Sequence, residues 1–247
     1  MEGSAVRRRA RALALALAGI VALLAAGGVR PAEARPSQLP TVELGSAAGL
    51  APDGLSLTIS VIASCPERWS MVEARVTVSQ PRASGSGTFP LTCIGSKRPF
   101  HVSVTSTGGR FELGPAQVTA SVTISRGRTA QAQDSATVQL DPTVVVELAD
   151  TALLQSGGAA VSIGVTVACP PGPSGTESYV AVTQGNIVGR GFYVPTCDGQ
   201  PHTFTVTAAA SQGLFQAGDA RALSFADVTF GGMAFFGIAD EPVLIVS

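Results

Sequence analysis

The sequence predicts an all-β protein: two tandem antiparallel β-sandwich domains behind a cleaved export leader. Three observations carry this. Apolar and polar residues alternate with a period of two along most of the chain, the signature of strands with one buried face. A set of residues recurs at a spacing of 104 positions. The four cysteines fall into two pairs, 65 with 93 and 169 with 197, one pair in each copy of that repeat.

The leader comes first. Arg7, Arg8, Arg9 and Arg11 precede the apolar run "ALALALAGIVALLAAGG" at 12–28, and "AEA" at 32–34 offers small residues for a signal peptidase. Residues 1–34 are therefore read as a signal peptide cut after Ala34, in preference to a retained membrane anchor. They hold five of the sixteen basic and two of the seventeen acidic residues, so the mature chain carries eleven against fifteen, a net charge of −4. That balance speaks against a nucleic-acid surface. No second apolar span follows the leader, so no stable membrane span is expected after cleavage.

The mature chain is long enough for two domains of ordinary size, taken as 35–142 and 143–247. The first carries nine basic and seven acidic groups (+2), the second two and eight (−6). In the first, "LSLTISVIASC" (55–65), "VEARVTVS" (72–79), "FPLTC" (89–93), "FHVSVTS" (100–106) and "AQVTASVTIS" (116–125) alternate as strands. In the second, "AVSIGVTVAC" (160–169) does the same, and 220–230 does so weakly. "APDG", "PRASGSG", "GGR", "SGG" and "PPGPSG" read as turns between them. No segment after the leader sustains a helical period. About seven short strands per hundred residues suggest sandwiches of immunoglobulin-like type.

The repeat matches "VEL" at 42–44 with 146–148, Cys65-Pro66 with Cys169-Pro170, Thr92-Cys93 with Thr196-Cys197, and Phe100 with Phe204. "GGRFELGPA" (108–116) returns as "QGLFQAGDA" (212–220), keeping a glycine-bracketed Phe111 and Phe215. A motif kept in both copies serves the shared fold, and each Phe is expected to plug one end of its core. "LDPTVVVEL" (140–148) links the copies with so few spare residues that a semi-rigid rod is expected.

In an exported chain the cysteines read as disulfides. Four cysteines allow three pairings, and the repeat favours Cys65–Cys93 and Cys169–Cys197. Zinc is the rival reading, but no two cysteines are close in sequence and the chain has only two histidines, His101 and His202. No G-x-S-x-G elbow and no paired carboxylates occur. "ADEP" (239–242) and "DP" (141–142) lack the alternating oxygen ligands of calcium loops. No catalytic residue, metal or cofactor is therefore expected.

With the cysteine spacing and "GGRFELGPAQVTASV" (108–122), residues 41–247 resemble a class of small secreted tandem immunoglobulin-like β-sandwich domains from high-GC Gram-positive bacteria. A second likeness is to the enediyne-binding apoproteins, secreted sandwiches that usually hold two disulfides per domain. Neither resemblance transfers a functional residue. The leader, the β-sandwich reading and the lack of catalytic or metal motifs together point to a secreted or wall-associated protein that acts as a non-enzymatic binding or structural module toward an extracellular or envelope partner. "CPERWSM" (65–71) is the candidate interaction loop, through Arg68 and Trp69, residue types that dominate binding hot spots. The alternative is that Trp69 caps the core. Two further readings compete: a carrier with an apolar cleft at Phe192, Tyr193 and Phe204, and a secreted hydrolase using His101, His202 or an acid.

Overall fold

Alternation in sequence becomes alternation in burial. In β2 (Ser56–Ser64), Leu57, Ile59, Val61 and Ala63 are buried and the residues between them are not. The computed structural model describes residues 39–247, so the leader assigned to 1–34 lies outside the described residues. Gln38–Ser247 forms one compact unit. Within it, β1 (Thr41–Leu50), β2, β3 (Ser70–Gln80), β4 (Ala83–Thr88), β5 (Arg98–Gly108), β6 (Gly114–Ser125) and β7 (Thr129–Pro142) form one sheet. The other contains β8 (Val145–Gln155), β9 (Ala160–Ala168), β10 (Ser174–Gly175), β11 (Ser178–Gln184), β12 (Ile187–Tyr193), β13 (His202–Ala210), β14 (Gly218–Phe230) and β15 (Met233–Val246). A single 3-10 turn, Ser156–Gly158, is the one helical element among the described residues. The protein is all-β.

Each sheet closes on itself, which corrects the expectation of two separate layers. The first runs β1-β2-β5-β4-β3-β6-β7 and closes as a barrel. Strand β1 is antiparallel to β2, then, past a register shift between Leu44 and Ala48, also runs parallel to β7. At the other seam β4 pairs with both β3 and β5. Glycines make that seam, because a Cβ on Gly85 or Gly87 would sit 2.5 Å from the Thr105 carbonyl or 2.1 Å from that of Ser103. Gly189 and Gly191 repeat this in the second sheet, with 3.0 Å to the Ala208 carbonyl and 2.4 Å to that of Thr207. This sheet runs β10-β14-β11-β12-β13-β9-β8-β15 and is closed by the β14–β15 ladder. Closure leaves few free edges for strand addition.

Two more expectations change. "PRASGSG" is not a loop: residues 83–87 of it and its neighbour Thr88 are strand β4. "FPLTC" is not a strand. Phe89 and Leu91 are buried, but Pro90 has no N–H to donate and Cys93 is tied to Cys65, so the segment crosses outside the ladder.

Each sheet encloses its own core, one drawn from Val42 to Leu140 and one from Val144 to Ile245. Only Thr143 and Val144 stand between β7 and β8. The repeat survives in three dimensions: Gly54, Gly95, Gly109 and Gly114 have positive φ, and so do Gly158, Gly199, Gly213 and Gly218. In the last strand the correspondence slips by one. Three residues connect Ser125 to Thr129, but two glycines connect Phe230 to Met233, so Gly114 pairs with Leu140 while Gly218 pairs with Ile245.

Asp141 is a local flaw near the end of β7. Its Oδ1 is buried without a hydrogen-bond partner, and burial pushes its carboxyl above the ordinary aspartate value. A raised carboxyl favours the unfolded state wherever the unfolded group is ionised, and that penalty disappears below the unfolded pKa of about 4. Asp141→Asn is therefore expected to raise the melting temperature at neutral pH. The gain should vanish below about pH 4, as thermal melts across pH would read.

Candidate functional site

A duplicated fold separates what the scaffold needs from what it does not, because scaffold residues appear twice. The disulfides do: Cys65–Cys93 and Cys169–Cys197 form, with Cα–Cα distances of 4.4 and 4.9 Å. Beside each, the Gly95 and Gly199 N–H groups donate to the Cys65 and Cys169 carbonyls at 2.9 and 3.0 Å. Phe111 and Phe215 are 3% and 2% exposed, and their N–H groups donate to Gly54 and Gly158 at 2.8 Å. The rings lie against Gly85 and Gly189, where a Cβ would come within 2.9 Å of them.

One repeated device escaped the sequence reading. Gln80 donates to the Glu112 and Pro115 carbonyls at 2.9 and 3.3 Å and accepts from the Glu112 N–H at 2.9 Å. Gln184 does the same to Gln216 and Asp219, at 2.9, 3.4 and 2.9 Å. Each glutamine clasps the loop that carries the plugging phenylalanine. The signal was present, since 80 and 184 are both Gln at the repeat spacing. Gln184→Ala leaves the loop's backbone groups to water and is expected to cost about 1–3 kcal/mol in a denaturant titration.

What is not repeated lies on the outer face of β12-β11-β14-β15. Pairing registers place Phe192, Tyr179, Phe225 and Ile238 in one row across these four strands. The next row holds Arg190, Ala181, Leu223 and Asp240. The same registers in the first barrel give Thr88, Arg75, Ser121 and Gln133, then Ser86, Thr77, Thr119 and Ser135. The fold thus accepts an entirely polar face at these positions, and the second barrel carries a mostly apolar one with Arg190 and Asp240 at its margins. Phe192 and Phe236 are each 61% exposed and Ile238 is 55% exposed. Tyr179 stacks on Phe225 (centroids 5.8 Å apart, planes 18° apart), and Phe225 on Phe236 (5.3 Å, 22°). The Arg190 guanidinium caps the stack, 6.0 Å from the Tyr179 ring centre. Arg221 reaches Asp240 with two bonds of 2.6 and 2.9 Å, which hold the aspartate below its usual range.

The candidates read from sequence fall elsewhere. Trp69 is 9% exposed and belongs to the first core, with the Arg128 guanidinium 5.9 Å from its ring centre, so it serves as the cap of that core. Arg68 is on the surface with φ of 65°. Phe192, Tyr193 and Phe204 do not share a cleft. Tyr193 points inward, packs on Phe204 at 5.4 Å and exchanges a 2.9 Å hydrogen bond with Ser224, while Phe192 points outward. His101 Nδ1 lies 3.3 Å from Ser60 Oγ on an exposed face, and His202 Nε2 lies 2.9 Å from Asp198 Oδ1. Among the described residues, no three His, Cys, Asp or Glu side chains gather as a metal site would require. An apolar recess of about 480 Å³ opens between the Phe111 loop and the Pro170–Gly172 segment, with Leu50, Leu113 and Phe230 in its wall.

No known protein family and no curated protein matches the chain. Solved structures give distant likenesses. A conserved domain protein from Bacillus anthracis is 11% identical, with 85% of this chain and 88% of that one covered and a TM-score of 0.25. A structure described as BspA_C_mut is 10% identical over 84% and 98%, with a TM-score of 0.24. A structure described as manganese lipoxygenase of Gaeumannomyces graminis with partial zonadhesin of Komagataella pastoris is 11% identical over 85% and 94%, with a TM-score of 0.21. TM-scores this low carry no argument about fold or function.

Proposed function

We propose that the chain is an exported, non-enzymatic binding or structural module of the cell envelope or extracellular space. In this reading it is built from two immunoglobulin-like units, 35–142 and 143–247, and engages a protein through the outer face of β12-β11-β14-β15. One observation carries it: eight registered positions are polar in the first barrel and mostly apolar in the second. An exposed apolar cluster rimmed by charge is costly to keep in water unless something covers it. Tyrosine, phenylalanine and arginine are the types that protein interfaces favour. Two disulfides suit an oxidising compartment.

The test is capture from native culture fluid and cell surface with the exported chain and with its Leu223→Thr/Phe225→Ser variant. That variant installs the residues found at the same registers of the first barrel, Thr119 and Ser121. The parent should retain partners that the variant loses. Equal capture by both would refute the assignment of the face. A second reading, an apolar-ligand carrier, is favoured by the recess at Leu113 and Phe230. It requires saturable binding of an apolar fluorescent probe that Leu113→Glu abolishes.

A further inference from the structure

We propose that the partner on this face is a second copy of the chain, bound face to face about a two-fold axis that lies in the interface parallel to the strands and passes between β11 and β14. The inference rests on the reading of the face as a binding surface and adds the identity of its occupant. Such an axis lays β12 of one copy over β15 of the other and β11 over β14, and keeps each row opposite itself. The order of residues within the rows then decides whether the fit is good.

In the row Arg190–Ala181–Leu223–Asp240 the operation sets each Arg190 opposite the other copy's Asp240, and each Ala181 opposite the other copy's Leu223. Charge meets opposite charge at both margins, and a small side chain meets a large one at the centre. In the row Phe192–Tyr179–Phe225–Ile238 it sets ring against ring and Phe192 against Ile238. The next residue along β14 and β11, Arg221 beside Thr183, meets only the neutral hydroxyl of its opposite. A row that is positive at one edge and negative at the other is self-complementary under this axis and self-repelling under none of its own contacts. The Arg221–Asp240 pair already fixes the carboxylate that Arg190 would share. At the far end the same operation turns Glu177 toward the other copy's Asp227, acid toward acid, so the contact ends before that row. The closed sheets leave this face, rather than strand edges, as the route to association.

Sedimentation of the exported, disulfide-bonded chain from about 0.1 to about 100 µM tests the proposal. A monomer–dimer equilibrium is expected in that range. Arg190→Asp sets aspartate against aspartate and should weaken the dimer by at least about tenfold. The triple change Arg190→Asp, Arg221→Asp and Asp240→Arg reverses every sign while keeping the pair within each copy, and should restore dimerisation to within about threefold of the parent. All three sites are exposed, so folding should survive, and a thermal melt checks it. A parent that stays monomeric throughout, or a triple variant no tighter than Arg190→Asp, overturns the proposal. If the parent is monomeric yet the Leu223→Thr/Phe225→Ser variant still loses captured partners, the face binds a different protein: the dimer fails and the binding module stands.

Discussion

Phe215→Ala should destabilise the second barrel by about 3–5 kcal/mol, the usual cost of emptying a buried phenylalanine site. Phe215 is 2% exposed and lies on Gly189, whose missing Cβ makes room for the ring, so Gly189 has no side chain to fill the hole. The loop around it is held at both margins, by the Phe215 N–H on Gly158 and by the Gln184 clasp, which resists collapse into the cavity. Phe111→Ala should do the same to the first barrel. The pair also tests whether the two cores unfold apart. Trp69, the only tryptophan, sits in the first core. If 35–142 and 143–247 are separate folding units, Phe111→Ala shifts the tryptophan fluorescence transition, whereas Phe215→Ala leaves it in place and shifts only part of the circular dichroism melt. Equal shifts of both signals by either variant would show one cooperative unit.

Loss of a disulfide is the second large effect. Converting Cys169 and Cys197 together to alanine frees a loop of 28 residues. In the chain-entropy account that removes about 3–4 kcal/mol, a large share of a small domain's stability. The bridge ties the end of β9 to the β12–β13 connection, and Phe215 plugs the region near the start of β9. Nine residues of β9 separate the two sites, about 30 Å of strand. Costs of Phe215→Ala and of the cysteine change should therefore add within a few tenths of a kcal/mol. Denaturant titrations of both variants and their combination measure this, and strong non-additivity would show that the two ends of the barrel communicate.

The two barrels show where sequence reading succeeds and where it stops. Strands such as β2 and β9 were legible because Leu57, Ile59, Val61 and Ala63, or Val161, Ile163, Val165 and Val167, face one core at every second position, with Ser or Thr at most positions between them. Strand β4 was not. Its Ala-Ser-Gly-Ser-Gly-Thr composition reads as a turn, and it is a strand only because Gly85 and Gly87 admit the backbone of β5 at a distance no side chain would allow. "FPLTC" alternates like a strand but is pulled out of the ladder by Pro90 and the bridge at Cys93. The candidate site was legible only in part. Trp69 is rare and sits in a loop, which left it open between a contact residue and a cap of the core, and the structure buries it. The aromatic residues that are exposed lie inside strands, where alternation counts them as ordinary members of a pleat.

From its residues alone, this chain was already committed to an all-β architecture, an internal duplication, and one sulfur bridge within each copy, because periodicity and spacing are properties of the chain itself. Closure of the sheets and the apolar face on β12-β11-β14-β15 were decided only by tertiary structure. Strand order determines which side chains become neighbours, and Phe192, Tyr179, Phe225 and Ile238, spread over 60 positions of sequence, become one surface only when four strands lie side by side.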